Sequence, residues 1–183
     1  GPPGSGQTAL LSLIGGLRVP DRGSVHLGGR EISQLKESAL SKVRLFEVGF
    51  VFQTRNLIDD LTVEENIALP LRLAKRRSEE QVAGLLQTFG IGHLARRRPG
   101  EISVGESQRV AVARALANGP KVLLGDEPTA ALDEEGTSAV LAALRLARTE
   151  FGAAVVLTSH DADVQVGAVR EYKLDRGILS PIL

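Results

Sequence analysis

The 183-residue sequence contains no cysteine, no methionine and no tryptophan, and aromatic residues make up only 3% of it. Without cysteine, the chain can form neither a disulfide framework nor a thiolate metal site. Lysine plus arginine equals aspartate plus glutamate at 22 each, so the basic excess typical of nucleic-acid-binding proteins is missing. No apolar run approaches the roughly 20 residues of a membrane span, and no signal-peptide pattern is visible. We therefore expect a cytosolic location and no nucleic-acid partner.

Short apolar segments alternate with helical patterns along much of the chain. Apolar strands between helices are typical of a parallel sheet that helices cover on both faces. A further segment, residues 60–118, has a helical pattern throughout. The sequence therefore predicts an α/β fold with a mostly parallel central sheet and an inserted helical subdomain. The predicted strands are 48–52, 122–124 and 153–157, the helices beside them include 10–17 and 140–146, and two hairpins are expected at 24–32 and 172–179.

The helical segment carries three pairs of residues that match the reciprocal N-cap signature. These pairs predict three helix starts: Thr62 with Glu65, Ser78 with Gln81, and Ser103 with Glu106. The second of these helices is expected to bury a stripe formed by Val82, Leu85, Leu86 and Phe89.

The sequence opens on a glycine-rich loop that runs directly into a helix. It fits the phosphate-loop pattern G-x-x-x-x-G-K-[ST] except at the lysine, where Gln7 stands. Glycines let backbone N–H groups approach phosphate oxygens, and the helix adds its positive N-terminal end. A simple connector is the alternative interpretation. The predicted nucleotide-binding residues of this loop are Gly1, Gly4, Ser5, Gly6, Gln7 and Thr8, and the Thr8 hydroxyl is also a predicted Mg²⁺ ligand.

Two carboxylates follow the apolar strand 122–124. Ligands bind at the carboxyl ends of strands in open α/β sheets, so these side chains are well placed for chemistry. Asp126 suits Mg²⁺ binding, and Glu127 suits the polarisation of an attacking water. The alternative is an N-cap pair next to Pro128. His160 follows the strand 153–157 at the same edge of the sheet. It is either a contact of the γ-phosphate or an ordinary surface or core histidine.

Taken together, these motifs resemble the ATP-binding subunit of ABC transporters over essentially the whole chain. Gln53 resembles the Gln-loop residue, and Ile-Ser-Val-Gly-Glu-Ser-Gln-Arg at 102–109 resembles the signature L-S-G-G-x-Q-Q-R. Ala-Leu-Asp at 131–133 resembles the D-loop, and His160 the switch histidine. The segments 50–53, 56–57, 61–66 and 69–71 look most like the subfamily of lipoprotein release and macrolide export.

The resemblance implies a P-loop NTPase that hydrolyses Mg-ATP, with two such domains enclosing the nucleotides between them. Catalytic roles are then expected for Glu127, His160 and Gln53, with Gln53 also near Mg²⁺. Ser103, Gly105 and Asp133 would contact nucleotide across the interface with the second domain, which is either an identical copy or a paralogue. A transmembrane permease would be the other partner, which puts the chain on the inner face of the membrane. The expected division is a nucleotide-binding core at 1–53 and 119–183 and a helical and signature subdomain at 54–118.

The sequence departs from the family pattern at two important positions. Gln7 replaces a lysine, and one charge at about 4 Å is worth roughly 4 kcal/mol at an effective dielectric constant near 20. Val104 replaces the first signature glycine, where the backbone is expected to approach phosphate. The family also has a strand before the phosphate loop and an aromatic residue that stacks on adenine. Neither precedes the loop here, and with no methionine in the chain we expect a domain that lacks its N-terminal strands.

Three functions remain open on this basis. The leading one is an energy-coupling ATPase, and Gln7 motivates the second, a regulatory module that binds ATP without appreciable turnover. A soluble ATPase of translation or DNA repair is the third, although the compact interval between Gln53 and Ser103 leaves no room for the long insertions of that group. The basic clusters 75–77 and 96–98 could meet a membrane partner, but solvated helix ends are the simpler interpretation.

Overall fold

The computed structural model describes residues 1–2, 4–54, 56–159 and 168–182. Three parallel strands form its central sheet in the order β3-β4-β5. Two short antiparallel hairpins, β1–β2 and β6–β7, lie outside that sheet. The strands are β1 His26–Leu27, β2 Arg30–Glu31, β3 Val48–Val51, β4 Val122–Asp126, β5 Ala154–Thr158, β6 Tyr172–Asp175 and β7 Ile178–Pro181.

Six α-helices occur within the described residues, and Pro70 is accommodated inside the third. The predicted strands and helices are all found there, with ends shifted by a few residues. The helices are α1 Gln7–Ile14, α2 Glu37–Phe46, α3 Val63–Leu73, α4 Glu79–Thr88, α5 Val104–Leu116 and α6 Glu134–Thr149, and short 3₁₀ turns lie at Gly92–Leu94 and Pro99–Glu101.

Alternation along β3 and β4 directs their side chains into two separate apolar clusters. On one face, Val51 and Leu123 join the larger cluster formed with α3 to α6. On the other face, Val48, Val122 and Leu124 join the smaller cluster formed with α1, α2 and the first hairpin. β3 and β4 are therefore covered on both faces, as a parallel sheet requires.

The prediction that the sheet is covered on both faces is wrong for β5. Val155 and Leu157 pack against the larger cluster, but Ala154 and Val156 on the opposite face are exposed. Within the described residues, α1 packs mainly against β4. Short apolar strands look alike in sequence whether one face or both are covered.

Two of the three predicted capping boxes are present. The hydroxyls of Thr62 and Ser103 each accept a hydrogen bond from the backbone N–H three residues later. The backbone N–H of each residue in turn donates to the carboxylate of the glutamate at that position. The third is wrong: Ser78 makes no side-chain cap, and Gln81 instead donates to the carbonyl oxygen of Ala117 at 2.6 Å. The longer glutamine side chain thus ties α4 to the end of α5. The stripe predicted for α4 is confirmed, since all four of its residues are buried.

Candidate active site

The opening loop is shaped to leave backbone donors free for an anion. Gly4 and Gly6 take left-handed backbone angles, φ 78° and 103°, which side chains rarely adopt. α1 then begins without a side-chain cap at Gly6, so its first N–H groups have no capping oxygen. Ser5 is buried, and within the described residues its hydroxyl has no hydrogen-bond partner. An orphaned buried hydroxyl beside uncapped N–H groups fits a bound phosphate.

Gly1 and Gln7 connect this loop to the rest of the fold. Gly1 lies so close to the backbone of Leu174 that a Cβ atom there would clash, which fastens the loop to β6. The amide of Gln7 donates to the carbonyl oxygen of Ser159 at 3.4 Å, just beyond β5. Gln7, which stands where the phosphate-loop pattern has lysine, is therefore uncharged and contacts the chain just beyond the end of β5.

Four residues, Thr8, Asp126, Glu127 and Thr158, form a hydrogen-bonded group that we call the strand-end cluster. The Thr8 hydroxyl donates to Asp126 Oδ2 at 2.7 Å, and the Thr158 hydroxyl donates to Asp126 Oδ1 at 2.7 Å. Both carboxylate oxygens of Asp126 thus accept a hydrogen bond, and its orientation is fixed from two sides. The sequence predicted that Thr8 and Asp126 belong together but did not identify Thr158.

Glu127 follows in a backbone conformation that is uncommon for its residue type. Its φ is 46°, in the left-handed region. Its N–H points at Thr158 and lies 3.2 Å from both the hydroxyl oxygen and the carbonyl oxygen of that residue. The chain therefore turns where β4 ends, and Thr158 holds the backbone of that turn.

The donor set of the cluster suits Mg²⁺ bound together with a phosphate. A hydroxyl and a carboxylate are hard oxygen donors, and Mg²⁺ usually takes one or two carboxylates plus substrate phosphates. No group of three or more histidine, aspartate or glutamate side chains able to cage a metal occurs among the described residues. Thr8 and Asp126 therefore fit a cation that arrives with a nucleotide.

Residues Ser103 to Gly105, which we call the signature start, lie at the N-terminus of α5. The Ser103 hydroxyl accepts from Glu106 N at 3.2 Å, and Ser103 N donates to the Glu106 carboxylate at 2.8 Å. These bonds from Ser103 hold the pKa of Glu106 below its ordinary value. The Val104 side chain is 39% exposed, so the turn presents an apolar group to the surface.

Gly105 and Asp133 place the starts of α5 and α6 side by side. A Cβ atom on Gly105 would lie 3.4 Å from the Cα atom of Gly136. Asp133 caps α6 by accepting from Gly136 N at 2.8 Å. Ser103 and Asp133 thus make their side-chain hydrogen bonds within the helices that they start. In the strand-end cluster, by contrast, the hydrogen bonds join residues that are distant in sequence.

Gln53 lies in a loop that α5 holds in position. Its side chain is exposed, while its backbone carbonyl accepts from the buried Gln108 amide at 3.0 Å, and that amide also donates to the Phe52 carbonyl at 3.1 Å. Arg114, one turn and a half further along α5, donates to the Asn56 carbonyl at 2.8 Å, and burial lowers the pKa of its guanidinium. Sequence reasoning missed both contacts. A glutamine and an arginine on a helix that is largely apolar and buried were the available signal.

The last predicted site residue, His160, lies outside the described residues. Its neighbour Ser159 accepts the Gln7 hydrogen bond, so the chain leaves the sheet next to the opening loop.

Comparison with known proteins agrees with this geometry. The family model described as ABC transporter matches residues 1–130. The chain therefore belongs to the ABC transporter family.

It is 44% identical to the lipoprotein-releasing system ATP-binding protein LolD 2 of Caulobacter vibrioides, over 90% of this chain and 73% of that protein. It is 42% identical to the methionine import ATP-binding protein MetN of Brucella abortus, over 98% of this chain and half of that protein. The predicted likeness to the lipoprotein-release type is confirmed.

The solved structures confirm the P-loop NTPase fold. The dimeric ATP-binding cassette MJ0796 in a post-hydrolysis state, bound to ADP and Pi, superposes with a TM-score of 0.86 at 36% identity. The comparison covers 96% of this chain and 79% of that one. CbiO1 from Clostridium perfringens, part of the transporter complex CbiONQ, superposes equally well at 27% identity over 98% of this chain.

Proposed function

We propose that the chain binds Mg-ATP and hydrolyses it at an interface with a second ATP-binding domain, and that this cycle drives a membrane permease. The observation that carries the proposal is the strand-end cluster, in which Asp126 is held by Thr8 at 2.7 Å directly before Glu127. The cluster lies beside a glycine loop with an orphaned buried hydroxyl. A phosphate site, a metal site and a carboxylate for water activation are thus adjacent.

Within one chain, the opening loop binds the phosphates of the nucleotide. Gly1, Gly4 and Gly6 let the phosphates approach the backbone, Ser5 offers its hydroxyl, and Gln7 donates a neutral hydrogen bond in place of a charge. Bound Mg²⁺ would supply charge neutralisation at the β- and γ-phosphates. Thr8 and Asp126 would hold it, and the exposed side chain of Gln53 would lie near it.

Glu127 acts as the general base in this scheme. It accepts a proton from the attacking water, and Thr158 holds the backbone N–H of this residue in place. His160 is the proposed γ-phosphate contact. A carboxylate in this role contributes about 10²–10⁴-fold to the rate.

The second domain completes the site from the opposite side. Its signature start would approach the γ-phosphate with the N-terminus of α5, where Gly105 offers a backbone donor and Ser103 holds the start of the helix in place. Asp133, beside this start, would line the same interface. A dimeric relative with ADP and Pi supports this arrangement.

A permease partner is proposed because the relatives are named as ATP-binding proteins of a releasing system and of an importer. No helix within the described residues is long and apolar enough to cross a membrane. We place the chain at the cytoplasmic face, attached through the permease. The division into a core at 1–53 and 119–183 and a helical subdomain at 54–118 belongs to this proposal.

Steady-state phosphate release, combined with a direct measurement of ATP affinity, tests the function. The ATPase proposal expects release that depends on Mg²⁺ and stops in Glu127→Gln while ATP binding persists. Tight binding without release from the unmodified protein would instead support the regulatory module that Gln7 suggests. Release that is unchanged in Glu127→Gln would remove this residue from the mechanism.

A further inference from the structure

Thr158, the last residue of β5, contacts both carboxylate residues of the proposed site. It is 7% exposed, and in the parallel pairing of β4 and β5 it lies opposite Asp126. Its hydroxyl donates to Asp126 Oδ1 at 2.7 Å, and its oxygen lies 3.2 Å from the N–H of Glu127. A hydroxyl has one donor and two acceptor positions, so a single side chain makes both bonds at once.

Thr158 is also the one polar side chain in the strand Ala-Val-Val-Leu-Thr. A buried hydroxyl costs free energy unless it finds a partner. Here the partners are the side chain of Asp126, opposite on β4, and the backbone N–H of Glu127, the two residues to which the proposed reaction assigns the metal and the water. The position of this hydroxyl is thus explained by the site and not by the packing of the core.

We propose that Thr158 is a positioning residue that orients the Asp126 carboxylate toward Mg²⁺ and fixes the turn at Glu127. Terminal carboxylate torsions are broad, so a single hydrogen bond from Thr8 leaves Asp126 free to rotate. The second bond, from Thr158, removes that freedom. Partners of metal ligands typically change metal affinity or activity by about 10–100-fold when removed. This inference rests on the proposed function of the strand-end cluster.

Thr158→Val tests the inference because it removes the hydroxyl and nearly preserves the shape. The affinity of a fluorescent ATP analogue is measured in Mg²⁺ and in EDTA, and phosphate release is measured in parallel. We expect the gain in affinity caused by Mg²⁺ to fall by about 10-fold and kcat by about 10–100-fold. Binding in EDTA should stay within about 2-fold, since the hydroxyl does not contact the nucleotide in this scheme.

Two further variants separate positioning from a structural role. Thr158→Ser restores a hydroxyl on the same atom and should recover the Mg²⁺-dependent gain and most of kcat. Thr149→Val removes an exposed hydroxyl that donates to the Arg145 carbonyl at the end of α6, and it should change neither quantity.

Three results would overturn the inference. They are an unchanged Mg²⁺-dependent gain and kcat in Thr158→Val, an equal loss of binding in Mg²⁺ and in EDTA, and a serine variant that is as impaired as the valine variant. Failure of the proposed function is seen separately, as an absence of phosphate release from the unmodified protein. In that case the affinity measurements still decide the role of Thr158, and unmodified protein that binds nucleotide equally with and without Mg²⁺ would refute it.

Discussion

The strand-end cluster and the signature start differ in where their hydrogen bonds go. In the cluster, Thr8 and Thr158 come from different elements and both bond to Asp126. At the signature start, the side-chain hydrogen bonds of Ser103 with Glu106 and Ser107 stay within its own helix, and Val104 is partly exposed. One half of the proposed site is therefore assembled within the chain, and the other half is a helix start presented at the surface.

The two unusual residues fall on different sides of this comparison. In the proposed site, Gln7 belongs to the half that would hold the chain's own nucleotide, and Val104 to the half that would be offered to a partner. The first change removes a charge, while the second adds an apolar side chain to a turn that stays well capped. Substitutions in the two halves should therefore differ in size and in the quantity that they affect.

The largest effect is expected inside the cluster. Glu127→Gln removes the proposed general base and should lower phosphate release by about 10²–10⁴-fold while ATP binding persists. Single-turnover hydrolysis measures this directly. Glu135→Gln, at an exposed position in the first turn of α6, is the matched control and should leave the rate unchanged.

The next effect concerns the missing charge at position 7. Gln7→Lys should tighten Mg-ATP binding and raise turnover by about 10²-fold, since one transition-state donor is typically worth about 3–4 kcal/mol. Separate measurement of ATP affinity and kcat distinguishes the two contributions. If the unmodified protein already turns over at about 1 s⁻¹ and the variant does not differ, the charge at this position has no importance here.

At the signature start, the effect should appear first in stability. Ser103→Ala removes the N-cap of α5 and should lower the free energy of unfolding by about 1 kcal/mol, as urea denaturation would measure. Ser138→Ala, at an exposed position within α6, should stay within about 0.5 kcal/mol of the unmodified protein. Equal losses in the two variants would contradict the capping role of Ser103.

The smallest effect is the pH dependence of that cap. The backbone N–H of Ser103 lowers the pKa of Glu106 in the folded state. The ionised Glu106 carboxylate therefore contributes fully to the free energy of unfolding above its unfolded pKa of about 4.3. This contribution is lost as the pH falls through the lower pKa that Glu106 has in the folded state. Glu106→Gln should reduce the loss of thermal stability between pH 5 and pH 3, and an identical pH profile in the variant would exclude this contribution.

Features that depend on residues close together in the sequence could be predicted from the sequence. The glycine loop, the caps of Thr62 and Ser103, and the carboxylates at the end of β4 follow from spacing and from short-range chemistry. The contacts that were missed join distant segments: Thr158 to Asp126, and Gln108 to Gln53. No periodicity encodes which buried polar side chain meets which carbonyl or carboxylate, because tertiary packing decides the pairing.

The central claim is that the signature start of a second chain closes the site, and sedimentation velocity with Glu127→Gln tests it most directly. This variant should retain Mg-ATP, so the account predicts a monomer without nucleotide and a dimer with saturating Mg-ATP. Adding Ser103→Arg to the variant should abolish the dimer while leaving ATP binding intact, because Ser103 makes no bond to the strand-end cluster of its own chain. A protein that stays monomeric with Mg-ATP bound, or a dimer that tolerates Ser103→Arg, would contradict the account.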